Sequence, residues 1–370
     1  MIKYDIGFLG GGQLARMSIQ AAQRMGFRCL SLDPGLDTPA SQVGDSIVGS
    51  LVDSDKIAEL AKQCLRVTLE NEFIPANAIR QAFTDSAIDE GSLIPGIDCL
   101  ATIQDKLIQR QALLKAGVPS PKAISLLDRK TAIAQIGFPM VIKSRFGGYD
   151  GKGTRYAKTE SELEEHRSLW TGAGWLAEQF VPFRRELAVM VFIDAHSRGA
   201  FPTMETIQTK HVCDLVFPGG VDASEVAIAA VEAVGGKGLF GVELFELESG
   251  EFLINEIAPR PHNTGHYSLD WGGVSQFEQH VRLTMGLPLG SPEGRETCMA
   301  NLLGQEGASN LAHARARALE DPGVHVHWYG KAEAKLGRKM GHLNVVGGEN
   351  LVERARNARA NFYEGWKGAD

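Results

Sequence analysis

The sequence predicts a mixed α/β and α+β fold in three parts. In the first part, short apolar runs alternate with amphipathic helical segments, which is typical of a parallel α/β unit. The middle part is rich in strand-like runs, and the last part is a small β-rich stretch closed by one helix. Because 370 residues exceed what one hydrophobic core usually holds, we expect domains at 1–100, 101–290 and 291–370.

The elements follow in chain order from their apolar patterns. In the N-terminal unit we expect strands at 4–9, 27–32, 45–49 and 65–69, with helices at 13–26 and 54–64. An amphipathic helix from residue 104 ends at Gly117 and Pro119, and strands follow at 139–145, 175–181, 186–194, 238–247 and 251–258. The last unit has strands within 298–304 and 325–347 and a closing helix at 350–362.

Composition and charge restrict the possible classes of function. The chain is 44% hydrophobic and 22% charged with a net charge of −7, which argues against nonspecific binding to nucleic acid or an anionic membrane. We find neither a signal peptide pattern nor an apolar run of membrane-spanning length. The five cysteines are odd in number and widely spaced, so we expect free thiols and a cytoplasmic location.

A glycine-rich turn follows the first strand. GGGQLA matches G-x-G-x-x-A with Gly10, Gly12 and Ala15, and Asp33 ends the second strand, where Rossmann-like domains meet a ribose hydroxyl. A single match of this kind is weak. Three interpretations therefore stay open here: a nicotinamide dinucleotide site, another phosphate-binding turn, and a plain strand-to-helix turn.

The stretch PMVIKSRFGGYDGKGT, residues 139–154, predicts a nucleotide triphosphate site. A strand delivers Lys143 and then enters a glycine-rich loop whose amides, together with Lys152, can cover phosphates. Four glycines in seven residues cost conformational entropy, which favours a backbone requirement over the alternative of a flexible surface hairpin. Residues 146–153 are the candidate lid.

Two carboxylates are expected to face each other in the hairpin GLFGVELFELESGEFLINEIA. If the turn is Ser249–Gly250 and the ladder is regular, Glu243 lies directly opposite Glu256. Facing carboxylates are unfavourable unless a cation lies between them, and oxygen ligands beside a nucleotide favour Mg²⁺. A bulge or a three-residue loop would break this register, and a solvated acidic face is the alternative.

A dense polar loop, EIAPRPHNTGHYSLD, follows the second carboxylate. It contains Arg260, His262, Asn263 and His266 between prolines and a glycine, which indicates a functional site. Zinc binding by the two histidines is disfavoured because Gly265 and the lack of a helical pattern do not support their spacing.

Two further segments carry candidate binding residues. Glu178 and Glu186 flank a short polar link suited to a nucleobase and a ribose, although surface ion pairs are the common role of such residues. Near the end of the chain, a cluster of basic residues suits the binding of a phosphate monoester. The alternative is a basic surface exposed to solvent. The members of the cluster are Lys331, Lys335, Arg338, Lys339 and His342.

Taken together, several motifs closely resemble the N5-carboxyaminoimidazole ribonucleotide synthetase family of ATP-grasp enzymes. They are GGGQLARM, FGGYDGKG, EQFVPF, INEIAPRPHNTGHYSLD, SQFEQH, MANLLG and YGKAEAKLGRKMGHLNV. The resemblance implies an ATP-grasp fold, ATP and Mg²⁺ as cofactors, aminoimidazole ribonucleotide and bicarbonate as substrates, and a homodimer. It implies a reaction through carboxyphosphate, with the glycine turn forming part of the ribonucleotide site and no nicotinamide.

The resemblance also implies roles for individual residues. Lys143, Tyr149, Asp150 and Arg260 would be catalytic, and Glu243 and Glu256 would hold the metal. The nucleotide would be bound by Lys106, Lys143, Gly148, Tyr149, Asp150, Gly151, Lys152, Gly153, Thr154, Glu178, Gln179, Phe180, Val181, Glu186, Gln208, Asn255 and Glu256. The ribonucleotide would be bound by Gly12, Gln13, Leu14, Glu72, Tyr149, Asp150, Lys331 and Arg338, with Glu70 in the same T-x-E-x-E pattern.

One segment departs from the family pattern. Many members read E-N-x-H where this chain has Thr206 and Gln208, so a nucleotide contact made by that histidine is in question, and His211 is a candidate substitute. The alternatives are another ATP-grasp ligase such as a formate-dependent ribonucleotide transformylase, an NAD-dependent dehydrogenase, and a nucleotide sensor with a degenerate site.

Overall fold

The computed structural model describes residues 2–148, 153–171, 174–307 and 309–367. The strands of the first half are β1 (Tyr4–Leu9), β2 (Cys29–Asp33), β3 (Asp45–Val48), β4 (Cys64–Leu69), β5 (Leu93–Ile94), β6 (Ala123–Ser125), β7 (Met140–Ser144), β8 (Thr154–Ala157) and β9 (Trp175–Gln179). The later strands are β10 (Arg185–Ile193), β11 (Arg198–Ala200), β12 (Met204–Thr209), β13 (Val212–Pro218), β14 (Gly238–Glu246), β15 (Phe252–Ala258), β16 (Thr297–Leu303), β17 (Val324–Trp328) and β18 (Lys339–Val346).

The helices lie mainly between these strands. They are α1 (Gln13–Arg24), α2 (Ser54–Ala61), α3 (Ala76–Asp85), α4 (Ile97–Gln104), α5 (Lys106–Lys115), α6 (Arg129–Gln135), α7 (Glu160–Glu165), α8 (Ser224–Ala233), α9 (Gln276–Met285), α10 (Leu311–Ala318) and α11 (Leu351–Lys367). Short 3-10 helices cover Glu90–Ser92, Arg167–Thr171 and Asn263–Leu269. Within the described ranges, no helix is both long and apolar enough to span a bilayer.

The N-terminal sheet is parallel, with the order β3-β2-β1-β4-β5, which confirms the predicted α/β unit. Ile57 of α2 and Ile79 of α3 pack on one face. Ile19 of α1 packs on the other face together with Val281 of α9. Since α9 comes from the middle of the chain, the N-terminal sheet shares a core with the central unit.

Two antiparallel sheets form the rest of the molecule. The smaller has the order β6-β9-β7-β8, and Met140 and Ile142 of β7 lie in its core. The intervening Val141 and Lys143 therefore point to the opposite face. The larger sheet runs β15-β14-β10-β12-β13-β16-β18-β17, with β11 paired to β10. Helices α5 and α8 cover the face of this sheet that carries Val242, so the neighbouring Glu243 faces the other way.

The C-terminal strands extend the larger sheet and do not form a sheet of their own. Leu215 of β13 pairs with Ala300 of β16, and α10 and α11 cover the extension through side chains such as Phe362. Arg359 of α11 is ion-paired with Asp214 of β13. The expected boundary between residues 290 and 291 thus falls between strands of one continuous sheet, and the division into three domains stays a prediction.

Candidate active site

The hairpin of β14 and β15 brings the two predicted carboxylates together. Glu243 is paired with Glu256, as the sequence predicts. The predicted turn is wrong, because Leu247 N donates to Glu251 O at 2.9 Å and closes a three-residue loop, 248–250. The ladder next to the loop is therefore displaced by one residue from the predicted register.

A bulge in β15 restores the pairing. Leu244 pairs with Ile254, which leaves Asn255 without a cross-strand partner in the ladder. Ile254 and Ile257 both lie in the apolar core, although residues three apart in a regular strand point to opposite faces. The extra residue resolves this conflict and turns Glu256 away from the core. Because the loop and the bulge shift the register in opposite directions, the glutamate pair survives.

Arg110 of α5 ties this bulge to the smaller sheet. Its Nη1 donates to Ile254 O at 3.1 Å and its Nη2 to Asn255 O at 2.7 Å. Its Nε donates to Glu178 Oε2 of β9 at 2.8 Å, and the side chains are only 6% and 4% exposed. A single buried guanidinium therefore contacts both sheets.

Lys143 of β7 shares the Glu178 carboxylate with Arg110. The Lys143 ammonium is ion-paired with the second carboxylate oxygen. Burial alone would raise the pKa of Glu178, but the two cations outweigh it and hold this pKa at about 2. The side chain of Glu178 is thus engaged in ion pairs with Arg110 and Lys143.

Lys106 begins α5 beside the glutamate pair. The preceding Asp105 caps the helix by accepting from Leu107 N at 3.0 Å, and it also accepts from Arg145 Nε at 3.0 Å. Lys106 Nζ lies 3.3 Å from Glu256 Oε1. Burial and, to a lesser extent, Glu72 would raise the pKa of Glu256, but Lys106 and Lys143 together outweigh them, so the net shift of this pKa is downward. Glu256 is therefore ionised at neutral pH.

The carboxylate pair fits a magnesium ion that also binds nucleotide phosphates. Glu243 Oε1 lies 3.8 Å from His262 Nε2, and burial with the nearby Arg260 lowers the pKa of His262 to about 3, so this imidazole is neutral. Among the described residues, no group of three or more His, Cys, Asp or Glu side chains could hold a metal. Two carboxylates are what Mg²⁺ uses when phosphate oxygens and water complete its shell.

Arg260 and Glu72 form a second charged contact next to the pair. The Arg260 guanidinium binds both Glu72 oxygens, with Nη2 2.7 Å from Oε1. Arg260 also interacts electrostatically with Glu70 and Glu256. Arg260 thereby connects Glu256 of β15 with the two carboxylates that follow β4.

The glycine turn after β1 is filled by the protein's own carboxylates. Asp33 accepts from Gly11 N at 2.8 Å and from Gly35 N at 2.9 Å. A Cβ atom added to Gly12 would lie 2.1 Å from Glu70 Oε1. Because a carboxylate already contacts the position where a dinucleotide pyrophosphate would bind, the geometry argues against the nicotinamide interpretation.

Glu70 has an unusual environment for an acidic residue. Its Oε1 lies 3.4 Å from Leu14 N, and Asn71 Nδ2 lies 3.4 Å from its Oε2. Burial raises the pKa of Glu70 to about 7, although Arg260 and these hydrogen bonds oppose the shift. Glu70 is therefore partly protonated near neutral pH.

The C-terminal basic segment reaches the same turn. Tyr329 packs against Leu14 and Met17 of α1, and the Lys331 ammonium lies 5.5 Å from the centre of the Tyr329 ring. Arg338 is exposed and donates to Glu333 O at 3.2 Å. The fold thus brings Lys331 close to the turn of Gly12, Gln13 and Leu14, although more than 300 residues separate them in the sequence.

The remaining nucleotide-site predictions lie on the two sheets. Glu186 of β10 is half-buried opposite Thr206, and burial raises its pKa. Gln208 is half-buried two residues further along β12, and His211 lies at the exposed tip of the β12–β13 hairpin with φ = 64°. Beyond Glu178, Gln179 and Phe180 are exposed and Val181 is buried.

The glycine-rich loop is described only at its ends. Gly148 and Gly153 have φ values of 80° and 81°, and Thr154 pairs with Lys143 at the start of β8. The predicted residues Tyr149, Asp150, Gly151 and Lys152 lie outside the described residues.

Sequence reasoning missed Arg110 and Tyr329. The signal for Arg110 is weak, since QDKLIQRQALL shows only an arginine among apolar helical positions. Tyr329 directly precedes the basic cluster, but no spacing rule links it to α1.

Comparisons with known proteins agree with this geometry. Family profiles match residues 3–104 as a ribonucleotide synthetase preATP-grasp domain, residues 111–277 as an ATP-grasp domain, and residues 297–356 as a phosphoribosylaminoimidazole carboxylase C-terminal domain. The N5-carboxyaminoimidazole ribonucleotide synthase of Synechococcus elongatus is 37% identical over 372 residues, which cover 96% of this chain and 92% of that protein.

Longer relatives and a solved structure are similar too. The phosphoribosylaminoimidazole carboxylase of Ogataea methanolica is 37% identical over 386 residues, and the chain spans 70% of its length; it spans 65% of the Schizosaccharomyces pombe carboxylase. The Aspergillus clavatus N5-carboxyaminoimidazole synthase in complex with ADP and 5-aminoimidazole ribonucleotide superposes with a TM-score of 0.86 at 30% identity, covering 98% of each chain.

The two antiparallel sheets, the paired glutamates and the strand lysine define the class as ATP-grasp. This confirms the predicted fold class. The chain belongs to the N5-carboxyaminoimidazole ribonucleotide synthetase family, so the resemblance seen in the motifs is confirmed and the dehydrogenase alternative is wrong.

Arg110→Met should lower the free energy of unfolding by about 3–5 kcal/mol, because it removes one partner of a buried ion pair and leaves two carbonyls without their donor. Urea denaturation measures this change without screening charges. Arg80→Met is the matched control, since Arg80 is 43% exposed and its ion pairs with Glu90 and Asp98 lie at the surface. A loss for Arg110→Met no larger than for the control would contradict the role of Arg110.

Glu70→Gln should raise the free energy of unfolding at pH 8 but not at pH 4. The folded-state pKa of Glu70 is raised to about 7, so the wild-type protein loses stability as pH rises from the unfolded-state pKa through 7, whereas glutamine does not titrate. The expected difference at pH 8 is about 3 kcal/mol. Urea denaturation across this pH range tests it, with the exposed Glu165→Gln as the control. Parallel curves for Glu70→Gln and the wild type would refute the shift.

Proposed function

We propose that this chain uses ATP to carboxylate the exocyclic amine of 5-aminoimidazole ribonucleotide with bicarbonate, giving N5-carboxyaminoimidazole ribonucleotide in purine biosynthesis. The observation that supports this best is a continuous series of contacts. Lys106 contacts Glu256, Arg260 binds Glu72 and interacts with Glu256 and Glu70, and Glu70 lies beside the turn at Leu14. Tyr329, whose ring lies under the Lys331 ammonium, shares an apolar cluster with Leu14. This arrangement suits a nucleotide and a second phosphorylated ligand at once.

The proposed reaction has two balanced stages. A bicarbonate oxygen attacks the γ-phosphorus of ATP, the bond to the β-phosphate oxygen breaks, and ADP and carboxyphosphate form. Carboxyphosphate then splits into CO₂ and phosphate, and the ribonucleotide amine attacks CO₂ and loses a proton to give the N-carboxylate. Phosphoryl transfer of this kind depends mostly on positioning and charge neutralisation.

The charged residues of the candidate site would supply positioning and charge neutralisation. Lys143 and Lys106 are held beside carboxylates and would neutralise phosphate charge when a nucleotide replaces those contacts. Glu186 would bind the ribose and the backbone of residues 178–181 the adenine. Arg260 is fixed by Glu72, which orients a cation toward the reacting groups.

Glu243 and Glu256 would hold Mg²⁺, with Asn255 beside them. The ion would supply positive charge that offsets the negative charge developing on the transferred phosphoryl group. We also propose that residues 146–153 close over the phosphates to exclude water from carboxyphosphate, with Tyr149 and Asp150 contacting the ribonucleotide.

At the other end, the glycine turn would bind the ribose portion, and Lys331 with Arg338 would bind its phosphate. Lys331 is held over the Tyr329 ring, and Arg338 is exposed and donates to Glu333 O; both cations are suited to a phosphate monoester. The homodimer, the cytoplasmic location and the domains 1–100, 101–290 and 291–370 stay predictions.

Gln208 would alter the proposed nucleotide site. A glutamine can donate a hydrogen bond but carries no charge, so phosphate binding would rely more on Lys106 and Lys143. His211 lies at the exposed hairpin tip, and we propose it as the substitute contact.

The proposed function is tested by ADP release from MgATP. We expect release to require bicarbonate and to be stimulated strongly by aminoimidazole ribonucleotide. Stimulation by formate in place of bicarbonate would identify a transformylase-type ligase instead. ATP binding without turnover under any of these conditions would identify a nucleotide sensor.

Glu256→Gln should reduce ADP release by roughly 10³-fold or more, because it removes one charge of the metal pair. The fold should persist, since Lys106 is only partly buried and can be solvated. Glu248→Gln is the matched control: it lies in the exposed loop of the same hairpin and should keep full activity. Unchanged ADP release by Glu256→Gln, with circular dichroism like the wild type, would remove this residue from the metal site.

A further inference from the structure

A buried layer of histidines lies between the C-terminal strands and the 3-10 helix Asn263–Leu269. His342 of β18 stacks on His327 of β17, with ring centroids 4.6 Å apart and planes 13° apart. His266 of the 3-10 helix lies 5.0 Å from the His342 centroid. Burial holds the pKa of His266 and His342 well below the ordinary value, so both rings are neutral.

Hydrogen bonds on either side fix this layer. His327 Nε2 lies 2.7 Å from Asp270 Oδ2, and Asn344 Nδ2 donates to the same oxygen at 2.7 Å. On the other side, Gln276 accepts from His262 N at 2.9 Å, so its amide nitrogen is the donor to His266 Nδ1 at 2.8 Å. The histidine layer is therefore held in place independently of any ligand.

One hydrogen bond connects this layer to the basic segment. The Tyr329 hydroxyl lies 2.9 Å from His342 Nδ1, whereas His342 Nε2 has no hydrogen-bond partner in the part of the chain that the structure describes. Tyr329 lies in one apolar cluster with Leu14, Met17 and Phe277, and the Lys331 ammonium lies 5.5 Å from the centre of its ring. The rotation of this ring decides where its bound cation lies.

We propose that Tyr329 and His342 are positioning residues for the ribonucleotide phosphate: their buried hydrogen bond fixes the aromatic ring on which Lys331 rests beside the glycine turn. This inference rests on the ribonucleotide site of the proposed function. The Lys331 ammonium also donates to Lys339 O at 2.6 Å, so the backbone and the ring together orient its charge. Without the hydroxyl, the Tyr329 ring loses its hydrogen bond to His342. The orientation of the Lys331 ammonium on this ring is then less restricted.

The test compares two variants that each remove one hydroxyl from a buried histidine. Tyr329→Phe removes the partner of His342. Thr68→Val removes the partner of His280, which is also buried, lies 3.1 Å from the Thr68 hydroxyl, and has one ring nitrogen without a partner among the described residues. Thr68→Val also removes the donor to Ile94 O at 2.7 Å, so it loses at least as much buried hydrogen bonding as Tyr329→Phe. Only Tyr329→Phe alters the ring that carries Lys331.

Calorimetry with ribose 5-phosphate and steady-state kinetics give the readouts. For Tyr329→Phe we expect the Kd for ribose 5-phosphate and the KM for aminoimidazole ribonucleotide to rise roughly tenfold, while the KM for ATP changes by less than about twofold. Thr68→Val should leave all three constants within about twofold of the wild type. Equal effects of the two variants, or a parallel rise in the KM for ATP, would overturn the inference.

Two further measurements keep the outcome decisive. His342→Asn can keep a hydrogen bond at the position of Nδ1 and should preserve ribose 5-phosphate affinity, whereas His342→Leu should lose it; equal affinities would overturn the inference even if Tyr329→Phe failed to fold. Wild-type protein that does not bind ribose 5-phosphate also overturns it. Wild-type protein that binds ribose 5-phosphate but shows no ribonucleotide-stimulated ADP release would instead refute the proposed function alone.

Discussion

The contacts of Arg110 are the constraint on which the rest of the site depends. This guanidinium is almost completely buried, so each of its donors needs a partner. It finds them in Glu178 of the smaller sheet and in two carbonyls of β15 in the larger sheet. The same contacts hold Glu178 where Lys143 pairs with it and hold the bulge that brings Glu256 opposite Glu243. One side chain thus fixes the spacing of Lys143 and the two glutamates of the proposed nucleotide and metal site.

Much of the fold could be predicted because its signals are local. The parallel N-terminal unit follows from apolar runs that alternate with helical segments, and nearly every predicted strand lies within a few residues of an observed one. Attachment of the C-terminal strands to the larger sheet could not be predicted. The pairing of Leu215 with Ala300 joins segments that are distant in the sequence, and the hydrophobic pattern of a strand does not show which strand it pairs with. Which strand edges remain available for further pairing is decided only when the sheet has assembled.

The site shows the same division between local and distant information. The pairing of Glu243 with Glu256 was predicted from a regular ladder, yet it arises from a longer loop and a bulge that cancel each other. The spacing of Ile254 and Ile257 carries a signal for the bulge, since both are apolar but three residues apart. Arg110 carries almost no such signal, because its partners become neighbours only after both sheets have formed.

The hairpin of β14 and β15 has an engineering consequence. Its register is set within the ladder, by the bulge at Asn255 and by the contact of Arg110 with this bulge. The hydrogen bond between Leu247 and Glu251 closes the loop and does not depend on the sequence of residues 248–250. Residues 248–250 are exposed, and extra residues there would loop outward into solvent. An epitope tag or a fluorescent reporter inserted at this tip would leave the two glutamates aligned, so the loop offers a labelling position on the same hairpin as the glutamate pair.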